Sequence, residues 1–382
     1  REIATALRVR HLVEGSVMRA GDQVAVVVHL VDPSNNREIW GDTYHGRMTD
    51  LLGFEGRVAE AVAGKILGDL PPEARTRLAQ HPNVPDEVYE LYLRGRFFQN
   101  KRTPDNLLKA LDLYQQAATR TPSFALAWAA EAQTYASLGS FGYAVMSPRE
   151  AIPKAEEAAR KAIALDESLS EAHSSLAMTL LDDWQWAKAA SEFERALALN
   201  PSNADAWHQY AGYLTARGRH AEAAQAAKRA LELDPLSLII NETVAIAHYF
   251  GGDLVSATAE SNATLALEPN FWLAHHLLGE CASYQGEYDR AAQEFDRALA
   301  AFPGFAGIQL AYAKLVIDPG NHPGPAALSR AAKMLEKAIA LDPSLSEAHF
   351  ELGKLLRQQD ELSNAARHLE AAARLDHAGA TD

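Results

Sequence analysis

Histidines, carboxylates and a single cysteine are the residues of this sequence that could supply chemistry. The chain has 14 histidines, 50 acidic residues and one cysteine, Cys281. The most suggestive pair is His275 followed by His276, but neighbouring residues on a helix point about 100° apart and chelate a metal poorly. One cysteine excludes a disulfide within the chain and a multi-thiolate centre. No metal site is predicted.

Catalytic motifs are also missing from the sequence. Asp182 and Asp183 stand together at a predicted turn, where helix-terminal roles explain two acids. The chain has no glycine-rich phosphate loop, no His-Glu-x-x-His, no Gly-x-Ser-x-Gly and no Cys-x-x-Cys. The sequence therefore predicts no catalytic residue and no cofactor, and a protein that is not an enzyme.

Charge narrows the range of partners. The formal net charge is −14, which argues against nucleic acid and anionic membranes as general partners. The longest apolar run, residues 24–31, is too short to span a bilayer, so no membrane insertion by this segment is predicted. A single cysteine fits a reducing compartment and equally fits many periplasmic proteins. The compartment stays open, with the cytoplasm slightly favoured and the periplasm or the extracellular space kept as alternatives because Arg1 is not a natural start.

A fixed spacing organises most of the chain. Pro201, Pro235, Pro269 and Pro303 lie 34 residues apart, and two helix-length segments rich in alanine and leucine separate each pair. A period of this length is typical of stacked helix–turn–helix units and matches the tetratricopeptide repeat (TPR). The prediction is a mainly α fold, a TPR α-solenoid of about eight helix pairs in a right-handed superhelix. The predicted repeats cover residues 86–122, 123–167, 168–201, 202–235, 236–269, 270–303, 304–343 and 344–376, with a tail over 377–382.

Two interruptions of the period predict longer loops. About eleven extra residues fall near 139–148 in repeat two, and about six fall near 318–325 in repeat seven. Insertions in such arrays map to loops, either near a binding face or merely tolerated on the surface. No further helix follows repeat eight to cap the array, so that end is either self-capped by polar residues or stacked on another molecule.

The first 68 residues have a different pattern. Two β-branched runs joined at Gly21-Asp22 predict an antiparallel hairpin, and residues 37–40 a further short strand. Apolar residues at helical spacing from about Met48 to Leu67 predict a helix that covers one face of the hairpin. The prediction is a small α+β fragment over 1–68, joined to the repeats by a proline-rich linker over 69–85.

This segment resembles the end of the TolB-like domain that precedes TPR arrays in bacterial signalling proteins. The matching residues are Val13-Glu14-Gly15-Ser16-Val17, Gly21-Asp22, Leu30-Val31-Asp32, Trp40 and Tyr44. In such proteins the upstream part is often a nucleotide cyclase, a protein kinase or a winged-helix DNA-binding domain. The resemblance implies that the chain starts within a domain and belongs to the sensory or regulatory part of a larger bacterial protein.

The resemblance to TPR arrays also places the first helix of each pair on an inner face. Aromatic residues beside carboxylates and histidines on that face form a candidate peptide-binding groove, and the alternative is that they only shield the core. The candidate residues are His208, Glu242, Ile246, Tyr249, Phe250, His276, Glu280 and Tyr284.

Two functions remain open at this stage. The first is a scaffold without catalytic activity that binds a protein or peptide through the groove. The second is self-assembly into oligomers or filaments through the hairpin edge and the uncapped last repeat. Light scattering over a range of concentrations distinguishes them.

Overall fold

A computed structural model describes residues 12–32, 35, 37–47, 51–67, 84–140 and 145–380. The chain divides into two compact units. The first contains residues 1–95 and 113–124, and the second contains residues 96–112 and 125–382.

The first unit contains a three-stranded antiparallel sheet. Its strands are β1 (Leu12–Ala20), β2 (Gln23–Asp32) and β3 (Arg37–Arg47), in the spatial order β1-β2-β3. The turn between β1 and β2 contains Gly21 at a φ of 62°, a value that glycine adopts without strain. β3 pairs with β2 along its whole length, with an irregularity between Leu30 and Val31.

A helix, α1 (Leu51–Leu67), packs on this sheet. Phe54 is buried against Gly46 of β3, where a Cβ atom would collide with the phenyl ring. Val24, Val28 and Leu30 of β2 are also buried, so one face of the hairpin is covered as predicted. The third strand is the main difference from the sequence prediction, because it runs over 11 residues instead of four.

Sixteen helices follow in the described part of the chain. They form eight consecutive pairs: α2 (Asp86–Gln99) and α3 (Pro104–Arg120), α4 (Ala125–Gly139) and α5 (Pro148–Leu165), α6 (Ser170–Asp182) and α7 (Trp186–Leu199), α8 (Ala204–Ala216) and α9 (His220–Leu233), α10 (Leu238–Phe250) and α11 (Leu254–Leu267), α12 (Trp272–Tyr284) and α13 (Tyr288–Ala301), α14 (Ala306–Ile317) and α15 (Pro325–Leu341), α16 (Ser346–Gln358) and α17 (Leu362–Ala380). We number the repeats one to eight in this order.

Small residues set the spacing of the pairs. From α4 to α12 each first helix packs on its own second helix and on the first helix of the next pair, and α14 and α16 each pack on their own second helix. Ala189, Ala223, Ala257 and Ala291 are fully buried at intervals of 34 residues, so the helices approach closely at the same point of each pair. Gly279 also allows close packing of α12 on α13, since a Cβ atom there would lie 2.7 Å from the ring of Phe295.

A side-chain hydrogen bond recurs at the start of the first helices. The fourth residue of the helix reaches back to the backbone carbonyl six residues earlier. The pairs are His173 with Glu167 at 3.0 Å, Trp207 with Pro201 at 2.9 Å, Asn241 with Pro235 at 2.9 Å, His275 with Pro269 at 2.9 Å and His349 with Pro343 at 3.3 Å. The position therefore accepts any side chain that can donate to this carbonyl.

The turns inside the pairs have one position in the left-handed region. Gly218, Gly252 and Gly286 occupy it with φ of 70°, 80° and 72°. In repeat three the same position holds Trp184, with φ of 59° and a side chain that is 63% exposed. A bulky residue in this conformation is strained, because its Cβ atom crowds the backbone.

The predicted loops, linker and tail can be compared with the observed helix ends. The loop of repeat seven contains a short 3-10 helix (Pro319–Asn321) before α15. Of the loop predicted near 139–148, residues 141–144 lie outside the described residues, as do residues 69–83 of the predicted linker. The tail predicted from residue 377 begins only after Ala380, because α17 continues to that residue.

Candidate functional site

The second unit contains a cavity of about 1080 Å³ lined mainly by the first helices of repeats five to eight. Helices α10, α12 and α14 lie side by side there, because each packs on the next. An ion pair between Lys314 and Glu347 joins α14 to α16. Leu277, Phe305, Leu310 and Leu355 supply apolar surface to the lining. A volume of this size accommodates several side chains of a partner.

Aromatic residues gather on one side of the cavity. The ring of Tyr249 lies 5.2 Å from that of Phe250 and 5.8 Å from that of Tyr284, both edge to face. Phe250 is 58% exposed and Tyr284 is 73% exposed. Phenyl and phenol rings left this accessible lose little conformational entropy on binding and bury much area when covered.

Charged residues line the other side. Lys314 Nζ donates to Glu347 Oε1 at 2.6 Å, and Lys354 Nζ donates to both carboxylate oxygens of Glu351 at 3.0 and 2.9 Å. Helices α14 and α16 thus contribute two lysines whose charges are already compensated by glutamates.

Burial changes the ionisation of the polar groups between these two sides. It raises the pKa of Glu280, and this rise is opposed by the cation of Lys314 and, to a smaller extent, by a hydrogen bond from the hydroxyl of Tyr249 at 3.3 Å. The pKa of the Tyr249 phenol is raised by burial, and further by Glu280 and Tyr284. Burial lowers the pKa of His276 to about 4, so its ring is neutral at pH 7.

Six of the eight residues predicted for the groove line this cavity. They are Ile246, Tyr249, Phe250, His276, Glu280 and Tyr284. The structure brings them together because α10 and α12 are neighbours and their last turns end on the same side.

Two predicted residues do not line the cavity, and the prediction is corrected for them. Glu242 is fully buried, and its Oε1 atom accepts a hydrogen bond of 2.8 Å from Ser261 of α11, so it points into its own helix pair. His208 is half-buried and its Nδ1 atom lies 2.7 Å from Thr243 Oγ1. Burial, followed by the cation of Arg102, lowers the pKa of His208 to about 4.

The sequence reasoning missed the residues from repeats seven and eight. Lys314 and Lys354 occupy the same repeat position as Glu280, at spacings of 34 and 40 residues, and 40 is the period plus the six inserted residues. Extending the groove pattern across the insertion would have found both lysines and, by the same spacing, Asp318.

Comparison with known proteins defines the repeats. The tetratricopeptide repeat family matches residues 174–237, 272–305 and 328–380. The chain carries tetratricopeptide repeats. These segments include the cavity-lining first helices of repeats six and eight, whereas those of repeats five and seven lie outside them.

Two solved structures show the same kind of helical array. Yeast Tom70 is 19% identical, with a TM-score of 0.52, over 78% of this chain and 62% of that one. A monomeric mutant of IFIT1 is 16% identical, with a TM-score of 0.53, over 85% of this chain and 76% of that one. At these identities the likeness concerns the fold.

One curated protein is related over a shorter stretch. It is named "Putative adenylate cyclase 3", from Rhizobium meliloti (strain 1021), and is 24% identical over 96 residues. The match covers 25% of this chain and 16% of that protein, so the chain spans a small part of its relative.

The described residues contain neither a metal-binding cluster nor a membrane-spanning helix. No group of three or more histidine, cysteine, aspartate or glutamate side chains is arranged to hold a metal ion within that part of the chain. Among the helices described, none combines the length and the apolar character that crossing a bilayer requires.

Proposed function

We propose that the chain binds a protein or peptide segment in the cavity of repeats five to eight and catalyses no reaction. One observation carries the proposal: an open cavity of about 1080 Å³ is bordered by exposed aromatic rings, with Tyr284 73% and Phe250 58% accessible. Exposed aromatics that border an apolar surface are typical anchors of protein interfaces. Tetratricopeptide repeats generally serve as protein-interaction modules, which supports the same conclusion.

Selection from a peptide library tests this function. A phage library of random linear dodecapeptides is selected on the wild-type chain, and the enriched peptides are then titrated against two variants. Tyr249→Ala with Tyr284→Ala removes two of the three aromatic anchors, while Trp184→Ala removes an equally exposed aromatic residue far along the chain, in repeat three.

The expected result is that enriched peptides bind the wild type and Trp184→Ala alike and bind the double variant at least tenfold more weakly. Peptides that bind all three proteins equally, or a library with no enrichment, would contradict the proposal. Circular dichroism of the double variant confirms that it keeps its helices.

The chain also acts, in our proposal, as the regulatory part of a larger bacterial signalling protein. Its support is the TolB-like pattern around Gly15 and Gly21-Asp22 and the partial similarity to the Rhizobium cyclase. Sequencing the gene upstream of the codon for Arg1 tests this. A reading frame that contains a cyclase, kinase or winged-helix domain is expected, and one that contains no such domain speaks against the proposal.

Self-association is a second candidate, favoured by the outer edge of β1. Among the described residues β1 pairs with β2 alone, and Val13, Val17 and Met18 are 48%, 70% and 58% exposed. An apolar strand edge of this kind can accept a strand from a second copy. Light scattering over a concentration series decides, because a constant monomer mass excludes this candidate.

A further inference from the structure

The aromatic side of the cavity has the character of a cation site. Tyr249, Phe250 and Tyr284 form a chain of edge-to-face contacts, with the ring of Tyr249 in the middle. The faces of such rings carry negative potential and attract ammonium and guanidinium groups. The carboxylate of Glu280 lies beside them, 3.3 Å from the hydroxyl of Tyr249.

The charges that line the cavity are unbalanced. Glu280, Asp318, Glu347 and Glu351 oppose only Lys314 and Lys354, which leaves a formal excess of two negative charges. Both lysines are held by glutamates, at 2.6 Å for Glu347 and 2.9 Å for Glu351. A ligand carboxylate would have to break one of these ion pairs, whereas a cation would not.

Glu280 accepts fewer hydrogen bonds than Asp318, which lines the same cavity. Asp318 accepts hydrogen bonds from the hydroxyl of Tyr288 at 3.0 Å and from the backbone N–H of Gly320 at 2.7 Å. Glu280, in contrast, accepts one long hydrogen bond from Tyr249 among the described residues. The remaining lone pairs of Glu280 lie at the wall of the cavity, where a donor from a partner can reach them.

We infer that the cavity recognises a peptide segment in which a lysine or arginine stands between apolar residues, with its cation held by Glu280 and by the rings of Tyr249 and Tyr284. The inference rests on the proposed function and names the chemistry of its partner. Apolar neighbours of the basic residue cover Phe250, which is 58% exposed, and the half-buried Ile246 and Leu273.

The peptides selected on the wild-type chain test the inference directly. Each enriched peptide is synthesised with its basic residue and with glutamine in that place, and both forms are titrated by fluorescence anisotropy. The proteins are the wild type, Glu280→Gln, and Glu232→Gln as a control that removes the same charge from an exposed position outside the cavity. The comparison forms a double-mutant cycle, which isolates the coupling between Glu280 and the peptide cation.

The expected outcome is a preference for the basic form of at least tenfold on the wild type and on Glu232→Gln. On Glu280→Gln the two forms should bind within twofold of each other. Selected peptides without enriched lysine or arginine, enriched acidic residues, or an unchanged preference on Glu280→Gln would overturn the inference while leaving the proposed cavity in place. The absence of any peptide that depends on Tyr249 and Tyr284 overturns both.

Discussion

The imidazole of His275 and the carboxylate of Glu294 lie 2.7 Å apart across the helix pair α12–α13, and both side chains are almost fully buried. The other ring nitrogen of His275 faces the carbonyl of Pro269 at 2.9 Å. The imidazole is thus held between two oxygen atoms, one on the neighbouring helix and one in the turn before its own helix. His173 repeats this arrangement, with the carboxylate of Glu192 at 2.6 Å and the backbone carbonyl of Glu167 at 3.0 Å. The same pair of contacts therefore links the two helices in repeats three and six.

Replacing His275 should show what the two bonds contribute. His275→Ala is expected to lower the free energy of unfolding by about 1–3 kcal/mol, because it removes one buried and one part-buried hydrogen bond, while Glu294 keeps Arg297 as a partner. His275→Asn should recover part of this loss, since Asn241 makes the equivalent bond to Pro235 in repeat five. Urea unfolding followed by the fluorescence of Trp272 measures both, and equal losses would show that the carbonyl bond contributes nothing.

Glu242 should make stability depend on pH. Burial raises its pKa from 4.5 to about 7, and its Oε2 atom is buried without a hydrogen-bond partner among the described residues. A carboxyl whose pKa is raised in the folded state contributes its full stability below about pH 4.5. This contribution is lost as the pH rises through the folded-state pKa of about 7. Glu242→Gln is therefore expected to raise the free energy of unfolding by roughly 1–3 kcal/mol at pH 8 and to have little effect at pH 5. Glu232→Gln, on the exposed surface, is the control, and an equal gain there would contradict this explanation.

The strained turn at Trp184 should be relieved by glycine. Trp184→Gly is expected to stabilise the chain by about 1 kcal/mol, because the left-handed conformation costs a bulky residue about that much and its side chain buries little. The matched change in the next repeat, Gly218→Ala, should destabilise by a similar amount. Thermal unfolding of the two variants checks both signs, and a loss of stability in Trp184→Gly would show that its edge-to-face contact with Trp186 outweighs the strain.

The last repeat should weaken in acid. His349 and His368 meet through their Nδ1 atoms at 3.0 Å, so only one of them can donate. Burial lowers the pKa of His368, and His349 and Arg367 lower it further. A histidine with a lowered folded-state pKa supports folding above its ordinary value of 6.5, and this support is lost as the pH falls. The urea concentration at the unfolding midpoint should therefore decrease when the pH is lowered from 7.5 to 5.5. This decrease should be smaller in His368→Gln.

Binding of a basic peptide should also weaken in acid, for a different reason. The raised pKa of Glu280 means that a proton competes with the peptide cation for its carboxylate. Affinity is expected to be lower at pH 5 than at pH 7.5 for the wild type and to change much less for Glu280→Gln. An equal change in both proteins, measured by anisotropy, would assign the pH dependence to another group.

The helical pairing was accessible from the sequence because it depends on local pattern. Buried alanines such as Ala223 and Ala257 stand one period apart, and the prolines that follow the second helices mark the same interval. The interval predicts a mainly helical array, and the structure confirms it together with the antiparallel sheet before it. The third strand is longer than predicted, since residues 41–47 lack a strong apolar alternation and extend mainly by pairing with β2.

Membership in the cavity depended on tertiary structure. Glu242 and His276 occupy the same position in consecutive repeats, yet Glu242 turns inward to Ser261 while His276 lines the cavity. Lys314 and Lys354 join from helices that the groove prediction did not include.

The sequence by itself determined which segments are helices and how they alternate, because the spacing of small and apolar residues is a property of neighbours along the chain. Only the tertiary structure decided which side chains share one surface. That outcome depends on contacts between different repeats, on the six residues inserted before α15, and on whether a buried partner such as Ser261 is present to hold a polar group inside.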